Sequence, residues 1–300
     1  MTNNKLKIWF RAIRPFSFTA SIVPVIIGAI LASKETKFHL GYFIVTLLAT
    51  LFLHASTNLL SDHDDYVNNI DTRDSYGSSG VIVEELLNAK QIKQGGLIFL
   101  TLGCLLGLFL TFKKGEVILF LGLIGALAAY FYTGKPLMLK YRGLGAPLVF
   151  MIYGPLMVLG SFFVQTQQIS STSILVSIPI GLLTTGILHG NDLRDIYHDK
   201  KAGIKTLSII VGRSNSEKIY FSLILLPYVI ILALISFKLI SIWSLICLIT
   251  LPSAFKNIRV IRIAKENTST LATIDQETAK LHAQFGVMLI LSLIISSYIK

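Results

Sequence analysis

Apolar runs long enough to cross a lipid bilayer recur along the whole of this 300-residue chain. The hydrocarbon core of a bilayer is about 30 Å thick, and a helix needs roughly 20 apolar residues to span it. Hydrophobic residues make up 53% of the chain and charged residues only 14%, whereas about a quarter of a soluble domain is charged. The sequence therefore predicts an all-α, polytopic membrane protein with a single transmembrane domain over residues 1–300.

Nine apolar segments have the length of a transmembrane helix. Their expected limits are 16–32, 41–60, 95–112, 116–133, 147–164, 173–190, 219–237, 239–255 and 283–299. A short amphipathic stretch precedes the first segment, and we expect it to lie along the membrane surface. It interleaves basic and apolar residues, namely Lys5, Lys7, Ile8, Trp9, Phe10, Arg11, Ile13 and Arg14.

The distribution of Lys and Arg predicts the orientation of the chain. With a cytoplasmic N-terminus, 21 of the 27 Lys and Arg residues lie in cytoplasmic segments, which is the bias that membrane proteins show. We therefore expect a cell membrane (inner membrane) protein with its N-terminus in the cytoplasm and its C-terminus outside. The formal net charge of +11 has the same origin and indicates no nucleic-acid partner. Cys104 and Cys247 lie inside apolar spans, where they are expected to be small buried hydrophobic residues.

Two short polar stretches interrupt the apolar pattern, and both carry aspartates. The first begins at Asn58, includes Asp62 and Asp65, and continues to Asp71 and Asp74. Positions 58, 62 and 65 are related as i, i+4 and i+7, so their side chains project from one face of an α-helix.

The second polar stretch begins at Asn191 and carries Asp192, Arg194, Asp195 and Asp199. Positions 192, 195 and 199 are related as i, i+3 and i+7, which again predicts one face of a helix. The two stretches follow the second and the sixth predicted spans, so the expected orientation places both on the cytoplasmic side.

Clustered carboxylates at a membrane boundary are costly unless a cation accompanies them. An ionised Asp inside the bilayer costs about 2.5–3.5 kcal/mol on insertion scales. Two carboxylates about 4 Å apart repel by roughly 4 kcal/mol at an effective dielectric constant of about 20. Bound divalent cations remove both penalties, and Mg²⁺ held by a few carboxylates shares its coordination sphere with a substrate phosphate. The alternative is ordinary solvated loop aspartates, but two such stretches at the ends of apolar helices favour a cation site.

Basic residues accompany the aspartates. Arg194 lies within the second stretch, Lys205 follows it, and the loop between the fourth and fifth spans carries Lys135, Lys140 and Arg142. Lys and Arg together with Mg²⁺ are the groups that bind a diphosphate and stabilise it as a leaving group. The alternative for the loop residues is that they only anchor the loop on the cytoplasmic side.

Other features of the sequence argue against other kinds of functional site. His54, His189 and His282 lack the spacing of metal ligands and are expected to be hydrogen-bonded residues within the bundle. No Gly-rich nucleotide loop, zinc-peptidase helix or nucleophile elbow occurs. A membrane cation transporter is an alternative function, but its acidic residues should lie at the bilayer midplane, and the predicted spans are nearly free of them. A non-catalytic membrane scaffold leaves the paired aspartate stretches unexplained.

Over essentially its full length, the chain resembles the UbiA superfamily of intramembrane aromatic prenyltransferases. Segment 61–71 is similar to the signature N-D-x-x-D-x-x-x-x-x-D of that family, with Ser61 where Asn is usual. Segment 191–207 is similar to the second signature, N-x-x-R-D-x-x-x-D-x-x-x-G-x-x-T-L. Three further stretches are similar to those of family members that prenylate 1,4-dihydroxy-2-naphthoate in menaquinone biosynthesis; these are 14–21, 132–136 and 277–282.

The resemblance implies a fold and a reaction. Nine helices would surround a central cavity that opens laterally to lipid, and the aspartate loops would form a cytoplasmic cap over the diphosphate. The enzyme would transfer a polyprenyl chain from polyprenyl diphosphate to an aromatic acceptor, expected to be 1,4-dihydroxy-2-naphthoate, with 4-hydroxybenzoate, homogentisate and haem as alternatives. Its expected cofactor is Mg²⁺. Its expected partners are the two substrates and membrane lipid, with no obligate protein partner.

The resemblance and the two stretches together indicate the site residues. Asp62, Asp65, Asp195 and Asp199 are expected to hold Mg²⁺, and Asp71 to assist deprotonation of the ring or to order its loop. The residues expected to bind substrate or to support the metal ligands are Asn58, Asn191, Asp192, Arg194, Lys140, Lys205, Arg14 and Tyr132. Among them, Arg194, Lys140 and Lys205 are expected to contact the diphosphate, and Arg14 the carboxylate of the acceptor.

Overall fold

The structure is a computed structural model that describes residues 2–72, 76–264 and 268–298. Asp74 of the first polar stretch lies outside these ranges. The α-helices in chain order are α1 Thr2–Ala12, α2 Thr19–Ser33, α3 Leu40–Val67, α4 Ala89–Lys114, α5 Glu116–Phe131, α6 Gly145–Met151, α7 Met157–Thr166, α8 Ser171–Arg194, α9 Ile196–Lys201, α10 Leu207–Val211, α11 Arg213–Ser236, α12 Leu251–Ala264 and α13 Ile274–Tyr298. Helical turns of 3₁₀ type cover Pro15–Phe18, Leu139–Tyr141, Ile242–Thr250 and Thr268–Leu271.

Within the described ranges, eight helical segments are long and apolar enough to cross a membrane. They are Pro15–Ser33, Leu40–Val67, Ala89–Lys114, Gly145–Thr166, Ser171–Arg194, Arg213–Ser236, Ile242–Ala264 and Ser269–Tyr298. A ninth apolar helix, α5, has only 16 residues. Each of the nine predicted spans therefore overlaps an apolar helix, and the prediction of an all-α polytopic membrane protein is confirmed.

Two helices extend beyond their predicted limits at the same end of the bundle. α3 continues to Val67 rather than ending at residue 60, and α13 begins at Ile274 rather than at residue 283. The added turns of α3 carry Asp62 and Asp65, whose exposed fractions are only 2% and 3%. These carboxylates stay helical and buried because other segments supply their partners, which the hydropathy of one segment does not reveal.

The eighth predicted span, 239–255, differs from the structure in type as well as in limits. A 3₁₀ segment, Ile242–Thr250, leads directly into α12. Pro252 lies in the first turn of α12, where its missing amide hydrogen costs no helical hydrogen bond. The α-helix therefore starts at Leu251, one residue before this proline, and continues to Ala264, nine residues beyond the predicted end at 255.

The fifth predicted span is a helix with a break in its middle. A π-helical turn, Ile152–Leu156, separates α6 from α7 and contains Pro155. Proline has no amide hydrogen, so it interrupts the regular ladder of backbone hydrogen bonds. A Cβ atom placed on Gly154 would lie 3.0 Å from the Cα of Gly181, so this turn packs closely against α8.

The bundle has a solid half and a hollow half. The largest apolar cluster joins α2, α8, α11, α12 and α13, and its members include the fully buried Ile27, Leu183, Ile224 and Phe285. On the other side, α3, α4, α5 and the facing sides of α7 and α8 line a cavity. The hollow half therefore has room for a ligand.

Helix α1 is the amphipathic stretch that the sequence predicts. Trp9 packs on α4, where a Cβ atom on Gly95 would lie 2.6 Å from its ring. Leu6 and Phe10 point outward, with exposed fractions of 71% and 63%. Apolar side chains so exposed suit a helix that lies on a membrane surface, and that location stays a prediction.

We predict that Gly28→Ala destabilises the protein. A Cβ atom at Gly28 on α2 would lie 2.3 Å from the carbonyl oxygen of Val158 on α7, so the two helices would have to separate. Overpacking of this kind costs about 1–3 kcal/mol, which thermal unfolding in detergent would record as a lower melting temperature. Gly41→Ala is the control, because a Cβ atom there meets nothing within 4 Å. An unchanged melting temperature for Gly28→Ala would contradict the close approach of α2 and α7.

Candidate active site

A cavity of about 420 Å³ occupies the hollow half of the bundle. Most of its wall is small and apolar, as at Ala49, Gly103 and Ala126. At the end where the aspartate stretches lie, the lining becomes polar and charged, with Arg14, Asn58, Tyr132, Lys140, Asn191 and Asp275. The cavity therefore suits a ligand with an apolar body and a charged head group.

Asp62 lies on α3, which also carries Asn58 and Asp65 on one continuous helix, as their spacing predicts. Its carboxylate accepts hydrogen bonds from the Arg14 guanidinium and from the hydroxyl of Ser79, and the Ser79 amide donates to it at 3.2 Å. Arg14 has a φ of 52°, a left-handed conformation that is uncommon for residues other than glycine and clusters at functional sites. Burial lowers the pKa of Arg14, and nearby carboxylates oppose this shift.

Asp65 is held by the turn between α5 and α6. Lys140 Nζ donates to Oδ2 at 2.8 Å, and the Tyr141 hydroxyl donates to Oδ1 at 2.5 Å. Burial acts to lower the pKa of Lys140, but Asp65 raises it well above its ordinary value, so this side chain is a cation. Burial and Asp65 both raise the pKa of Tyr141, so its hydroxyl keeps its proton and acts as a donor.

Arg194 joins the second aspartate stretch to the C-terminal helix. Its guanidinium donates to both carboxylate oxygens of Asp195, at 2.9 and 2.8 Å, and to the side-chain oxygen of Asn191. It also forms an ion pair with Asp275 on α13, at 3.1 Å. The Arg194 side chain is 1% exposed, and a guanidinium so deeply buried requires partners of this kind.

The second stretch is not the continuous helix that its spacing predicts. α8 ends at Arg194 and α9 begins at Ile196, while Asp195 between them has φ −92° and ψ 5°. The Asp199 amide still donates to the Asp195 carbonyl oxygen at 2.8 Å, so the chain bends here and then resumes a helical course. The contact of Asp195 with its own neighbour Arg194 accompanies this bend.

The two aspartate stretches meet at one end of the bundle. A Cβ atom on Gly77, in the segment after the first stretch, would lie 2.9 Å from Asp195 Oδ2. His198 of the second stretch hydrogen bonds the carbonyl oxygen of Ile70 at 2.5 Å. Burial raises the pKa of Asp199 to about 7. Lys140 opposes this shift, and Asp195 and Asp65 add to it. Carboxylates from both stretches therefore act on one another.

Asn58 and Lys205 make contacts that the sequence did not indicate. The Asn58 amide donates to the Ile13 carbonyl oxygen at 2.9 Å and to Ser17 Oγ at 3.2 Å, so it tethers the turn before α2 while it lines the cavity. Lys205 is exposed, and its backbone amide donates to the Tyr141 carbonyl oxygen at 3.1 Å. Its predicted contact with a diphosphate stays a prediction.

Three residues of the site were missed by the sequence analysis. Ser79 and Tyr141 bind the carboxylates of the first stretch but stand in loops without a diagnostic spacing. Asp275 lines the cavity and binds Arg194. The sequence offered one signal for it, a polar segment at 275–282 immediately before the last apolar run.

The chemistry of these side chains fits a divalent cation. In the part of the chain that the structure describes, no group of three His, Cys, Asp or Glu residues is arranged to hold a metal. Cations and hydroxyls contact the carboxylate oxygens of Asp62, Asp65 and Asp195. In the same part, the side-chain carboxylates of Asp192 and Asp199 accept no hydrogen bond although both residues are buried. Burial and Asp65 also raise the pKa of Asp71 to about 6. A cation would relieve this crowding of buried negative charge.

The fold and the site together define an integral membrane protein whose apolar cavity ends at a charged cap. The model of the UbiA prenyltransferase family matches residues 21–282, and the chain belongs to this family. It is therefore a prenyltransferase, and the resemblance on which the sequence analysis relied is confirmed.

Individual relatives match over nearly the whole chain. The 1,4-dihydroxy-2-naphthoate octaprenyltransferase of Bacillus subtilis (strain 168) is 31% identical, over 97% of this chain and 94% of that protein. The UbiA prenyltransferase domain-containing protein 1 of Danio rerio is 33% identical, over 98% and 85%. A UbiA homolog from Archaeoglobus fulgidus, solved bound to GPP and Mg²⁺, superposes with a TM-score of 0.61 and 13% identity, covering 94% of this chain and 99% of that one. Because this identity is only 13%, the similarity shows a shared fold and nothing further.

We predict that Asp275→Asn destabilises the charged end of the cavity. The substitution removes one carboxylate from the buried Arg194, and an incompletely paired buried group costs about 1–3 kcal/mol. Glu277→Gln is the matched control, two residues further along α13, because its ion pair with Lys256 is exposed and contributes little. Thermal unfolding of the purified variants makes the comparison, and equal melting temperatures would argue against a structural role for Asp275.

Proposed function

We propose that the protein transfers a polyprenyl chain from polyprenyl diphosphate to 1,4-dihydroxy-2-naphthoate, in the step that leads to demethylmenaquinone. One observation carries the proposal: a single cavity joins an apolar chamber to a cap that contains both carboxylates and cations. An isoprenoid diphosphate has this polarity, with a hydrocarbon chain at one end and an anionic diphosphate at the other.

The choice of acceptor and of cofactor is supported by relatives. The Bacillus subtilis relative bears the name of a 1,4-dihydroxy-2-naphthoate octaprenyltransferase, and the Archaeoglobus fulgidus homolog was solved with GPP and Mg²⁺. The acceptors 4-hydroxybenzoate, homogentisate and haem are the alternatives within this reaction type. Mass spectrometry of the quinones in cells that lack or carry the gene distinguishes them.

The proposed metal ligands are the four carboxylates Asp62, Asp65, Asp195 and Asp199. When bound, Mg²⁺ neutralises charge on the diphosphate and makes it a better leaving group. The residues proposed to support these carboxylates are Asn58, Asn191 and Asp192.

Lys140 and Arg194 are proposed to bind the diphosphate oxygens, with Lys205 as a further candidate. Lys140 and Arg194 each pair with a carboxylate. If a phosphate oxygen replaces that carboxylate oxygen, the positive charge of each side chain still has a negative partner. As the allylic C–O bond breaks, the electron pair departs with the diphosphate and negative charge develops there. Cations that are already in place stabilise this change without reorganisation.

The acceptor ring is proposed to attack the allylic cation from the end of the cavity that Arg14 and Tyr132 line. A carbon–carbon bond forms, and the ring carboxylate leaves as carbon dioxide. Arg14 is the candidate that orients this carboxylate. Asp71, which hydrogen bonds Ser78 in the cap, is the candidate that assists deprotonation of a ring hydroxyl before the attack or that orders the loop.

Orientation and organisation complete the proposal. The Lys and Arg distribution supports a cell membrane protein with a cytoplasmic N-terminus, and hence a cytoplasmic cap. We propose one domain over residues 1–300 that acts on its two substrates within membrane lipid.

We predict that Asp65→Asn and Asp195→Asn abolish turnover. Each change removes a charge proposed to hold Mg²⁺, and loss of such electrostatic stabilisation lowers kcat on the order of 10²–10³-fold. The assay uses purified protein in lipid nanodiscs with farnesyl diphosphate, the naphthoate acceptor and Mg²⁺, and EDTA should stop the reaction.

The matched control for these variants is Asp64→Asn. Asp64 neighbours Asp65 on α3, but its carboxylate contacts His63 and Thr133 instead. This variant should keep its rate within about threefold, because the half-buried Asp64 carboxylate is not among the proposed metal ligands. Full activity of either Asp65→Asn or Asp195→Asn would refute the metal assignment.

We predict that Arg14→Met weakens binding of the acceptor more than binding of the diphosphate. Removing one partner of a desolvated charge pair costs enough free energy to raise the acceptor KM roughly tenfold or more. Arg11→Met is the control, since Arg11 pairs with the exposed Glu84. If the diphosphate KM rises instead, Arg14 acts at the leaving group through Asp62.

A further inference from the structure

A second cavity, of about 610 Å³, lies at the end of the bundle opposite the aspartates. It forms where α2, α11 and α13 end and where α8 begins. α8 has 24 residues and runs from this cavity to Arg194, a distance of ~36 Å at the helical rise of 1.5 Å per residue. The second cavity is therefore no part of the prenyl transfer site.

Two lysines without acidic partners face this cavity. Lys34 Nζ donates to Ser296 Oγ at 2.8 Å, and Lys238 follows the end of α11 with a φ of 57°. Among the described residues, neither lysine forms an ion pair. Both lysines are exposed, and the partial burial of Lys34 lowers its pKa. Glu35 also lines the cavity, so the three charges leave an excess of one positive charge.

Five hydroxyl residues line the same cavity: Ser170, Thr172, Ser173, Ser241 and Ser296. The Ser173 and Ser296 hydroxyls already donate to backbone carbonyl oxygens, which leaves Ser170, Thr172 and Ser241 as the hydroxyl candidates. Ammonium and hydroxyl donors together are the groups that bind phosphate oxygens. The polar part of the cavity therefore favours a phosphate group.

The surroundings of the cavity indicate the depth of a membrane interface. Phe237 and Trp243, next to the lining residues, have exposed fractions of 77% and 46%. Aromatic residues of this kind gather at the level of the lipid head groups. The inner wall is apolar and buried, at Leu31, Phe162 and Leu293.

We propose that this cavity binds the phosphate head group of an anionic phospholipid. Lysine ammonium groups at a membrane surface attract the negative head groups of such lipids. Free phosphate shares the chemistry of the head group, but the apolar inner wall and the exposed aromatic side chains favour a ligand that carries acyl chains. The proposal does not depend on the prenyl transfer reaction.

The test compares lipid nanodiscs of phosphatidylcholine alone with nanodiscs that also contain phosphatidylglycerol. The melting temperature should rise by roughly 2–4 °C with phosphatidylglycerol, because a ligand that binds only the folded state stabilises it. Native mass spectrometry should show phosphatidylglycerol retained in preference to phosphatidylcholine. Inorganic phosphate added at millimolar concentration should not reproduce the shift.

The Lys34→Gln/Lys238→Gln double variant should lose both the shift and the retained lipid, and Lys34→Arg/Lys238→Arg should restore them. Lys37→Gln/Lys113→Gln is the control: it removes the same charge from exposed lysines at the same end of the bundle, outside the cavity lining. If the Gln double variant unfolds, Lys238→Gln alone should reduce the shift.

Three outcomes would overturn the proposal. One is equal stabilisation by both lipids, and another is a full phosphatidylglycerol shift in the Lys34→Gln/Lys238→Gln variant. The third is an equal shift with inorganic phosphate, which would assign the cavity to a free anion. Since none of these measurements follows prenyl transfer, failure here leaves the proposed reaction untouched.

Discussion

Pairing between buried carboxylates and buried cations is the interaction on which the charged end of this bundle depends. Asp62 and Asp65 pair with Arg14 and Lys140, which come from distant parts of the chain. Neither charge of such a pair is tolerable alone at this depth, since an unpaired buried ion costs several kcal/mol. The pairs therefore fasten the segment before α2 and the loop before α6 to α3, and they keep two buried cations at the end of the cavity.

The segment between α3 and α4 supplies a further partner to these carboxylates, because Ser79 donates to Asp62. Arg11 on α1 forms an ion pair with Glu84, and both side chains pass close to Gly80, where a Cβ atom would lie 2.6 Å from the Arg11 guanidinium. Gly80 also has a φ of 77°, which favours glycine. The tight turn presents Ser79 to Asp62. The N-terminal helix thereby contacts the cap segment, through this exposed ion pair and through apolar packing with Val81 and Ile82.

The parts of the structure that depend on local periodicity could be predicted from sequence, and those that depend on partners from elsewhere could not. Apolar run length identified the spans, and the i, i+4, i+7 spacing placed Asn58, Asp62 and Asp65 on one helix. No local pattern reveals that Arg14 reaches Asp62, or that Asp275 of the last helix supports Arg194. The bend at Asp195 was missed for a different reason: the i, i+3, i+7 spacing persists because the chain resumes a helical course after a break of one residue.

Glycines serve two purposes in the hollow half of the bundle. On α4, a Cβ atom at Gly96 or Gly103 would come within 2.8–2.9 Å of leucines on α3, so these glycines let the two helices touch. Gly107 on α4 and Gly122 on α5 line the cavity, and a Cβ atom at either position would meet nothing within 4 Å. The missing side chains at these open positions enlarge the cavity. Its room for an apolar ligand therefore depends in part on positions that are separate from the charged residues of the cap.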